Sequence, residues 1–334
     1  MNIDEVISKY VTDLQPIYRL YATKVQELID SILKANQIIP HSVTAREKTP
    51  SSLREKIARE SKSYENPLGQ ITDLAGVRVI TYFPTDVDII LPILEKEFAV
   101  DKANSMDKRK TTDPSTFGYA SVHLVIELSP DRCKFPEYAI FQSLKCEVQV
   151  RTILQHAWAE IEHDIVYKSN EEIPFELRRK FASLAGLLEV ADREFEILRK
   201  EESKIREEIK LTITQDNLDL PINLDSVKFY LEKYHGLTEI RERGLGELIK
   251  LLADKNIDTL FQLHSMLTPA ALKRADDEIA KIKTCPTLKE CAVRLILVIG
   301  NTLRLSPHEV ANYAQCPPLE HHWGIDRAGD DAGS

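Results

Sequence analysis

Glycine is scarce in this chain, 11 residues among 334 or about 3%, where soluble proteins carry roughly 7%. Backbone cradles for phosphate need clustered glycines, and the closest pair here is Gly244 and Gly246, with no Gly-Lys-Ser/Thr after it. Walker-type and Rossmann-type nucleotide sites are therefore excluded, and any phosphate ligand must be held by side-chain cations. An excess of positive charge is missing too. Lys and Arg number 44 against 53 Asp and Glu, a net charge of −9, which argues against a whole-surface grip on nucleic acid or on an anionic membrane. No apolar run reaches the length of about 18 residues that a membrane span requires, and the N-terminal stretch MNIDEVISKYVTDLQ is amphipathic, unlike a secretory leader. The five cysteines are odd in number and scattered, which fits a reducing, cytoplasmic setting. Cys285 and Cys291 lie near His308, Cys316 and His321, but their spacings match no standard zinc motif, and thiols packed between helices are the simpler reading.

What is present reads as an α+β chain of two or more parts. Apolar residues recur at helical spacing through Val6, Tyr10 and Leu14, then Tyr21, Val25, Leu28 and Ile32, with Pro16 marking a break. A short basic helix is expected over 51–63, a strand over 76–83, an amphipathic helix over 85–98, and strands over 120–128 and 144–150. Between them, residues 102–115 form a polar segment carrying Lys108, Arg109 and Lys110, read either as a solvated loop or as a ligand holder. Beyond Thr152 the pattern is helical. Leu177, Phe181, Leu184, Leu188, Ala191, Phe195, Leu198, Glu202, Ile205 and Ile209 alternate at spacings of four and three, which predicts one long helix with its seam against another helix, in this chain or in a second subunit. A linker with Pro221 and several short helices interrupted at Gly236, Gly244, Asn256, Pro269 and Pro286 follow, and then a loosely ordered acidic tail from Pro317. The expected division is 1–170, 171–215, 216–316 and 317–334.

Three stretches concentrate unusual chemistry. In the first, Ser52, Lys56 and Arg59 fall at i, i+4 and i+7 of the short basic helix and so share a face, with Arg46 and Lys48 approaching from a preceding loop near its positive end. A solvated basic face explains that pattern equally well when it is taken alone. In the second, Asp73 precedes an apolar strand that contains Arg78, and a cation in such a strand needs an anion or an aromatic plane. In the third, Gly118-Tyr119-Ala-Ser121-Val-His123 is joined by Glu147, Gln149 and Arg151, which alternate along one strand and so share its face. Asp73 and Glu147 together suit a hard divalent cation, since Mg²⁺ takes one or two protein carboxylates and fills its shell with substrate phosphates.

The ordered motifs R-x-K-x3-S-x3-K (from Arg46), D-L-A-G-V-R (Asp73 to Arg78), G-Y-x-S-x-H (Gly118 to His123), E-V-Q-V-R-T (Glu147 to Thr152) and H-A-W-A-E-I-E-H-x3-Y-K (His156 to Lys168) resemble the synthetase domain of the RelA/SpoT family. The resemblance implies a mixed sheet of nucleotidyltransferase type and transfer of pyrophosphate from ATP to the 3′-hydroxyl of GDP or GTP, with Mg²⁺ as cofactor. It implies that Arg46 and Arg78 sandwich adenine, that Lys48, Ser52, Lys56 and Arg59 bind the ATP phosphates, and that Asp73 and Glu147 hold the metal, Glu147 acting also as the base. Tyr119, His123, Gln149, Arg151, Lys108 and Lys110 would line the acceptor side. His163-Asp164 belongs to the helical last motif and marks no hydrolase, and the segment before Arg46 is too short for the hydrolase domain of long family members, so synthesis without hydrolysis is expected. The helical C-terminal half matches no family pattern. It leaves room for a homo-oligomer built through those helices, or for a toxic relative that modifies the tRNA 3′ end or makes adenosine alarmones, with the C-terminal helices as neutraliser or trigger sensor. A nucleotide-sensing module with a degenerate site is the non-catalytic alternative.

Overall fold

The structure is a computed structural model that describes residues 2–59, 64–109, 121–167, 174–236, 242–280 and 292–314. Tyr119 and Lys110, Cys285, Cys291, Cys316, His321, Pro286 and the acidic tail lie outside these residues. The chain divides into two compact units, Met1–Arg199 and Lys200–Ser334.

The first unit is built on six strands: β1 (Ser42–Glu47), β2 (Ala75–Thr81), β3 (Phe98–Val100), β4 (Met106–Asp107), β5 (Val122–Leu128) and β6 (Cys146–Thr152). They pair in the order β1-β2-β6-β5-β3, with β4 also on β5, and the mixed character comes from the parallel β2–β6 pair among antiparallel neighbours. Helices α1 (Ile3–Lys9), α2 (Gln15–Ala35), α3 (Pro50–Ala58), α4 (Pro67–Gln70), α5 (Pro84–Glu97), α6 (Pro136–Ala139), α7 (Ile153–Tyr167) and α8 (Phe175–Thr214) complete the described elements. Alternation along the strands divides the sheet into two faces. Val77, Val79, Val148, Val150 and Leu124 join one core with Tyr21, Val25, Ile29 and Leu33 of α2 and with Val87, Ile90 and Leu94 of α5. Arg78, Glu147, Gln149 and His123 occupy the other face.

The expected strands over 76–83, 120–128 and 144–150 and the helix over 85–98 correspond to β2, β5, β6 and α5. Strand β1 contradicts the expected loop at Arg46. It is an edge strand with Val43 as its single buried residue, so its sequence carries too little apolar alternation to announce it. The break near Pro16 is a π-helical turn, Tyr10–Leu14, that leads into α2 with the proline in the first turn. Helix α3 is capped by Thr49, whose hydroxyl accepts from the Ser52 N–H at 3.2 Å, and Pro50 follows it.

Helix α8 is continuous, as the heptad spacing predicts, but the face it buries is a different one. Asp192 is 3% exposed and Glu196 8%, whereas the seam residues Leu177, Leu184, Phe195 and Leu198 are 40–58% exposed. Thr152 donates to Asp192 Oδ2 at 2.7 Å and Thr85 to Glu196 Oε2 at 2.7 Å. Arg199 pairs with Asp86 at 2.7 Å and stacks its guanidinium 4.5 Å from the Phe83 ring centre. The helix is therefore held on the sheet's rim by hydrogen bonds and an ion pair, and most of the apolar seam faces solvent.

The second unit is helical: α9 (Leu224–His235), α10 (Glu242–Asp254), α11 (Leu260–Met266), α12 (Pro269–Ile279), α13 (Ala292–Thr302) and α14 (Pro307–Ala314). Val227, Leu231, Leu248, Leu252, Leu260, Leu295 and Val298 belong to its single core. Capping boxes at Asn223 and Thr259 start α9 and α11, and Gly236 at φ +66° ends α9 in the left-handed conformation that favours glycine. Gly244 does not interrupt the chain but lies with Gly246 inside α10, because each glycine costs a helix only about 1 kcal/mol and the apolar stripe of α10 outweighs that. Among the described residues no helix is long and apolar enough to cross a membrane.

Burial pushes the Asp192 carboxyl up to about 6, from an ordinary value near 3.8. The folded chain thus binds this proton more tightly than the unfolded chain does. The resulting stability is fully present below about pH 4 and is lost as pH rises through about 6. A shift of this size corresponds to roughly 3 kcal/mol. Asp192→Asn should therefore be more stable than the parent at pH 7.5, with the advantage vanishing near pH 4. Urea unfolding across that range checks this, and parallel pH profiles for the two proteins would contradict it.

Candidate active site

The parallel pairing of β2 with β6 sets Gly76 beside Glu147 and Arg78 beside Gln149. The antiparallel neighbours extend these into rows, Arg46-Gly76-Glu147 and Thr44-Arg78-Gln149-His123, on the face opposite the core. Arg46 crosses over Gly76, where a Cβ would stand 3.5 Å from its Cγ and Nε. Arg46, Arg78, Glu147, Gln149 and His123, which the sequence names from three separate stretches, are thus brought onto one surface.

Asp73, in the turn before β2, anchors two cations. Lys48 Nζ lies 2.7 Å from its Oδ2 and Lys56 Nζ 2.9 Å from its Oδ1. The Lys48 N–H donates to the Leu74 carbonyl at 2.9 Å, fixing the end of β1 against the start of β2. Burial works to raise the Asp73 pKa, but the two ammonium groups outweigh it and hold the carboxyl below its usual range. Lys48 moves down despite its partner, chiefly through burial and also through repulsion from Lys56 and Arg46. Two ammoniums facing one carboxylate leave a net positive charge, as a polyphosphate ligand requires.

Glu147 is the second carboxylate. His123 Nδ1 lies 3.2 Å from its Oε1, and Gln149 Nε2 donates to the same oxygen at 2.6 Å. Burial raises its pKa and the Asp73 charge adds to that, yet the contacts with His123 and Gln149 prevail and keep the group below its ordinary value. Both carboxylates are therefore ionised at neutral pH. Asp73 and Glu147 precede or begin adjacent parallel strands, and a pair of carboxylates so placed fits the donor set of Mg²⁺. Among the described residues no group of three or more His, Cys, Asp or Glu is gathered to hold a metal, at this site or at any other.

Farther along the same face, Arg78 NH1 reaches Glu160 Oε1 at 3.1 Å and Arg151 NH2 reaches the same oxygen at 3.3 Å. The anion that an arginine in this strand requires is thus supplied by α7. Arg59 departs from the expected helix face, because α3 ends at Ala58 and Arg59 is its C-cap in extended conformation. Ser52 sits in the first turn of α3 and its hydroxyl accepts from Thr49 at 2.9 Å. Lys108 follows β4, and its N–H donates to the Ser121 carbonyl at 2.9 Å, while Arg109 is engaged by Asp107 at 3.0 Å and Asp88 at 2.7 Å. The described start of the basic segment is thus ordered around a short strand and an ion-pair cluster. It departs from a freely solvated loop because Asp107 and Asp88 neutralise its arginine.

One contributor escapes sequence reasoning. Tyr10 is fully buried and donates to the Lys48 carbonyl at 2.7 Å, so the N-terminal π-turn supports the strand end that carries the Lys48–Asp73 pair. Its spacing in the sequence is that of an apolar core residue, and nothing in that pattern reveals what its hydroxyl meets.

Residues 45–172 match the family described as the region found in RelA / SpoT proteins. The chain is 32% identical over 131 residues to the GTP pyrophosphokinase YwaC of Bacillus subtilis, covering 39% of this chain and 59% of that protein. It is 33% identical over 174 residues to the GTP pyrophosphokinase YjbM of the same organism, covering 50% of this chain and 72% of YjbM. The crystal structure of small alarmone synthetase 1 from B. subtilis superposes with a TM-score of 0.48 at 25% identity, over 56% of this chain and 94% of that one. The region of likeness contains Arg46, Asp73, Arg78 and Glu147, and the chain belongs to the RelA/SpoT family.

Proposed function

We propose that this chain is a GTP pyrophosphokinase that moves the β,γ-diphosphate of ATP onto the 3′-hydroxyl of GDP or GTP, without hydrolase activity. The observation that carries the reading is the pair of charge clusters Lys48–Asp73–Lys56, at the start of β2, and His123–Glu147–Gln149, on the polar face of the sheet. In this reading Arg46 and Arg78 flank the adenine with their planar guanidiniums. Lys48, Lys56, Ser52 and Arg59 take the ATP phosphates, and Tyr119, His123, Gln149, Arg151, Lys108 and Lys110 take the acceptor.

Asp73 and Glu147 would hold Mg²⁺, which when bound neutralises the polyphosphate. The acceptor's 3′-oxygen attacks the β-phosphorus, the bond from that phosphorus to the α–β bridging oxygen breaks, and AMP leaves with the electron pair. Glu147 receives the hydroxyl proton. Because His123 and Gln149 both engage Oε1, Oε2 is the oxygen available for it.

Incubation with Mg²⁺, γ-labelled ATP and each of GDP, GTP, AMP and deacylated tRNA tests the reading. Label should appear on the guanosine nucleotides. Label confined to tRNA or AMP would establish the alternative acceptors instead, and no labelled acceptor at all would exclude transfer to any of these four. Glu147→Gln should lower transfer by at least a hundredfold with an unchanged melting temperature, the size expected for loss of a general base.

The exposed seam of α8 supports a second proposal, that a second copy covers it in an antiparallel helix pair. Arg178, Arg179 and Lys180 near its start and Glu207 and Glu208 near its end would then lie across from one another with opposite charge. Leu184→Lys together with Leu198→Lys should convert a sedimenting dimer or tetramer into monomer. A parent that sediments as a monomer, or an assembly unchanged by the double substitution, would refute it.

A further inference from the structure

Only two residues, Lys48 and Thr49, join β1, which ends at Glu47, to α3, which starts at Pro50. This joint connects Arg46 to Ser52 and Lys56, so its backbone sets where those groups stand relative to Asp73. It is held from both sides. The Lys48 N–H donates to the Leu74 carbonyl at 2.9 Å, and Thr49 caps α3, its carbonyl accepting from the Leu53 N–H at 2.9 Å. On the other side the Lys48 carbonyl accepts from the Tyr10 hydroxyl at 2.7 Å, and Glu47 Oε1 accepts from Arg19 Nε and NH2 at 2.9 and 2.6 Å.

The two N-terminal grips differ in strength. The Arg19 side chain is 65% exposed, so water and salt screen its pair with Glu47, whereas Tyr10 is fully buried. Burial, and after it the Glu47 charge, push the Tyr10 pKa up, so the hydroxyl stays protonated and able to donate. The backbone of Tyr10 is set by the π-turn, in which the Gln15 N–H donates to the Tyr10 carbonyl, and α1 before that turn packs against α3. The geometry points to Tyr10 as a positioning residue of the donor site: its hydroxyl fixes the Lys48 peptide, and through it holds the Lys48 and Lys56 ammoniums in the spacing that receives the ATP phosphates. This role rests on the reading of those two lysines as phosphate holders. Without the hydroxyl the joint is free to turn at Lys48 and the nucleotide must order it on binding, so the cost falls on donor affinity. Gln149 on the acceptor side stands on β6, separated from β1 by β2, and acceptor affinity does not depend on the joint.

The test compares Tyr10→Phe, which keeps the ring and removes the hydroxyl, with the parent and with Ile29→Val, which loosens the same core within α2. All three are full chains. Calorimetry measures binding of a non-hydrolysable ATP analogue, steady-state kinetics give KM for ATP and for GDP, and melting curves report folding. Tyr10→Phe should weaken analogue binding and raise the KM for ATP about fivefold, the effect of one hydrogen bond, while the KM for GDP stays within about twofold. Ile29→Val should lower the melting temperature and leave all three values within about twofold of the parent. In the ligand-free chain, amide hydrogen exchange over residues 46–56 should quicken in Tyr10→Phe and slow again once the analogue is bound. A folded Tyr10→Phe variant that binds the analogue as the parent does would overturn the role of Tyr10. Equal losses for ATP and GDP, or an equal weakening in Ile29→Val, would reduce Tyr10 to a core residue and overturn it as well. A parent that binds no adenine nucleotide would instead overturn the reading of the site, and this role with it.

Discussion

The parallel pairing of β2 with β6 is the constraint on which the remaining arrangement depends. Side chains alternate with period two along each strand, so the register that places Gly76 beside Glu147 also places Arg78 beside Gln149 and sends Val77, Val79, Val148 and Val150 into the core. A shift by one residue would exchange the two sets, exposing valines and burying a carboxylate and an arginine. The apolar contacts with α2 and α5 thereby hold the polar face in alignment without touching it.

That polar face gathers charges that would be costly one at a time. Lys48 and Asp73 are each nearly buried, and Arg151 is fully so. Desolvation of such groups costs several kcal/mol apiece unless an opposite charge and hydrogen bonds offset it. The ion pairs Lys48–Asp73–Lys56 and Arg78–Glu160–Arg151 supply the offset. They are arranged so that cations outnumber carboxylates in each group, which suits a surface built to receive anions in the absence of glycine-rich loops.

Much of this was legible in the sequence, for a physical reason. Strand β2 is an apolar run rich in β-branched residues and broken by Arg78, and β6 alternates Glu147, Gln149 and Arg151 with valines, so both their conformation and the shared face of those three residues follow from spacing. Edge strand β1 was not legible, since one buried valine in six residues gives no alternation to detect. The side on which α8 docks within the chain was not legible. Heptad spacing identifies an apolar seam, but Asp192 and Glu196 find their partners in Thr152 and Thr85, residues distant in sequence whose hydroxyls no periodicity can place. The roles of Tyr10 and Glu160 were hidden in the same way, each depending on the polar tip of a side chain whose spacing announces only helix.

The absence of any connecting residue between β6 and α7 gives chain length a meaning of its own. A loop would absorb an inserted residue by bulging, but here strand and helix share a boundary, so each added residue would turn α7 by about 100° about its axis. Glu160 would then sweep off the sheet while every residue type remained unchanged. Insertions and deletions at this junction are thus far more restricted than substitutions, and the interval of nine positions between Arg151 and Glu160 is as much a specification of the site as the side chains at its ends.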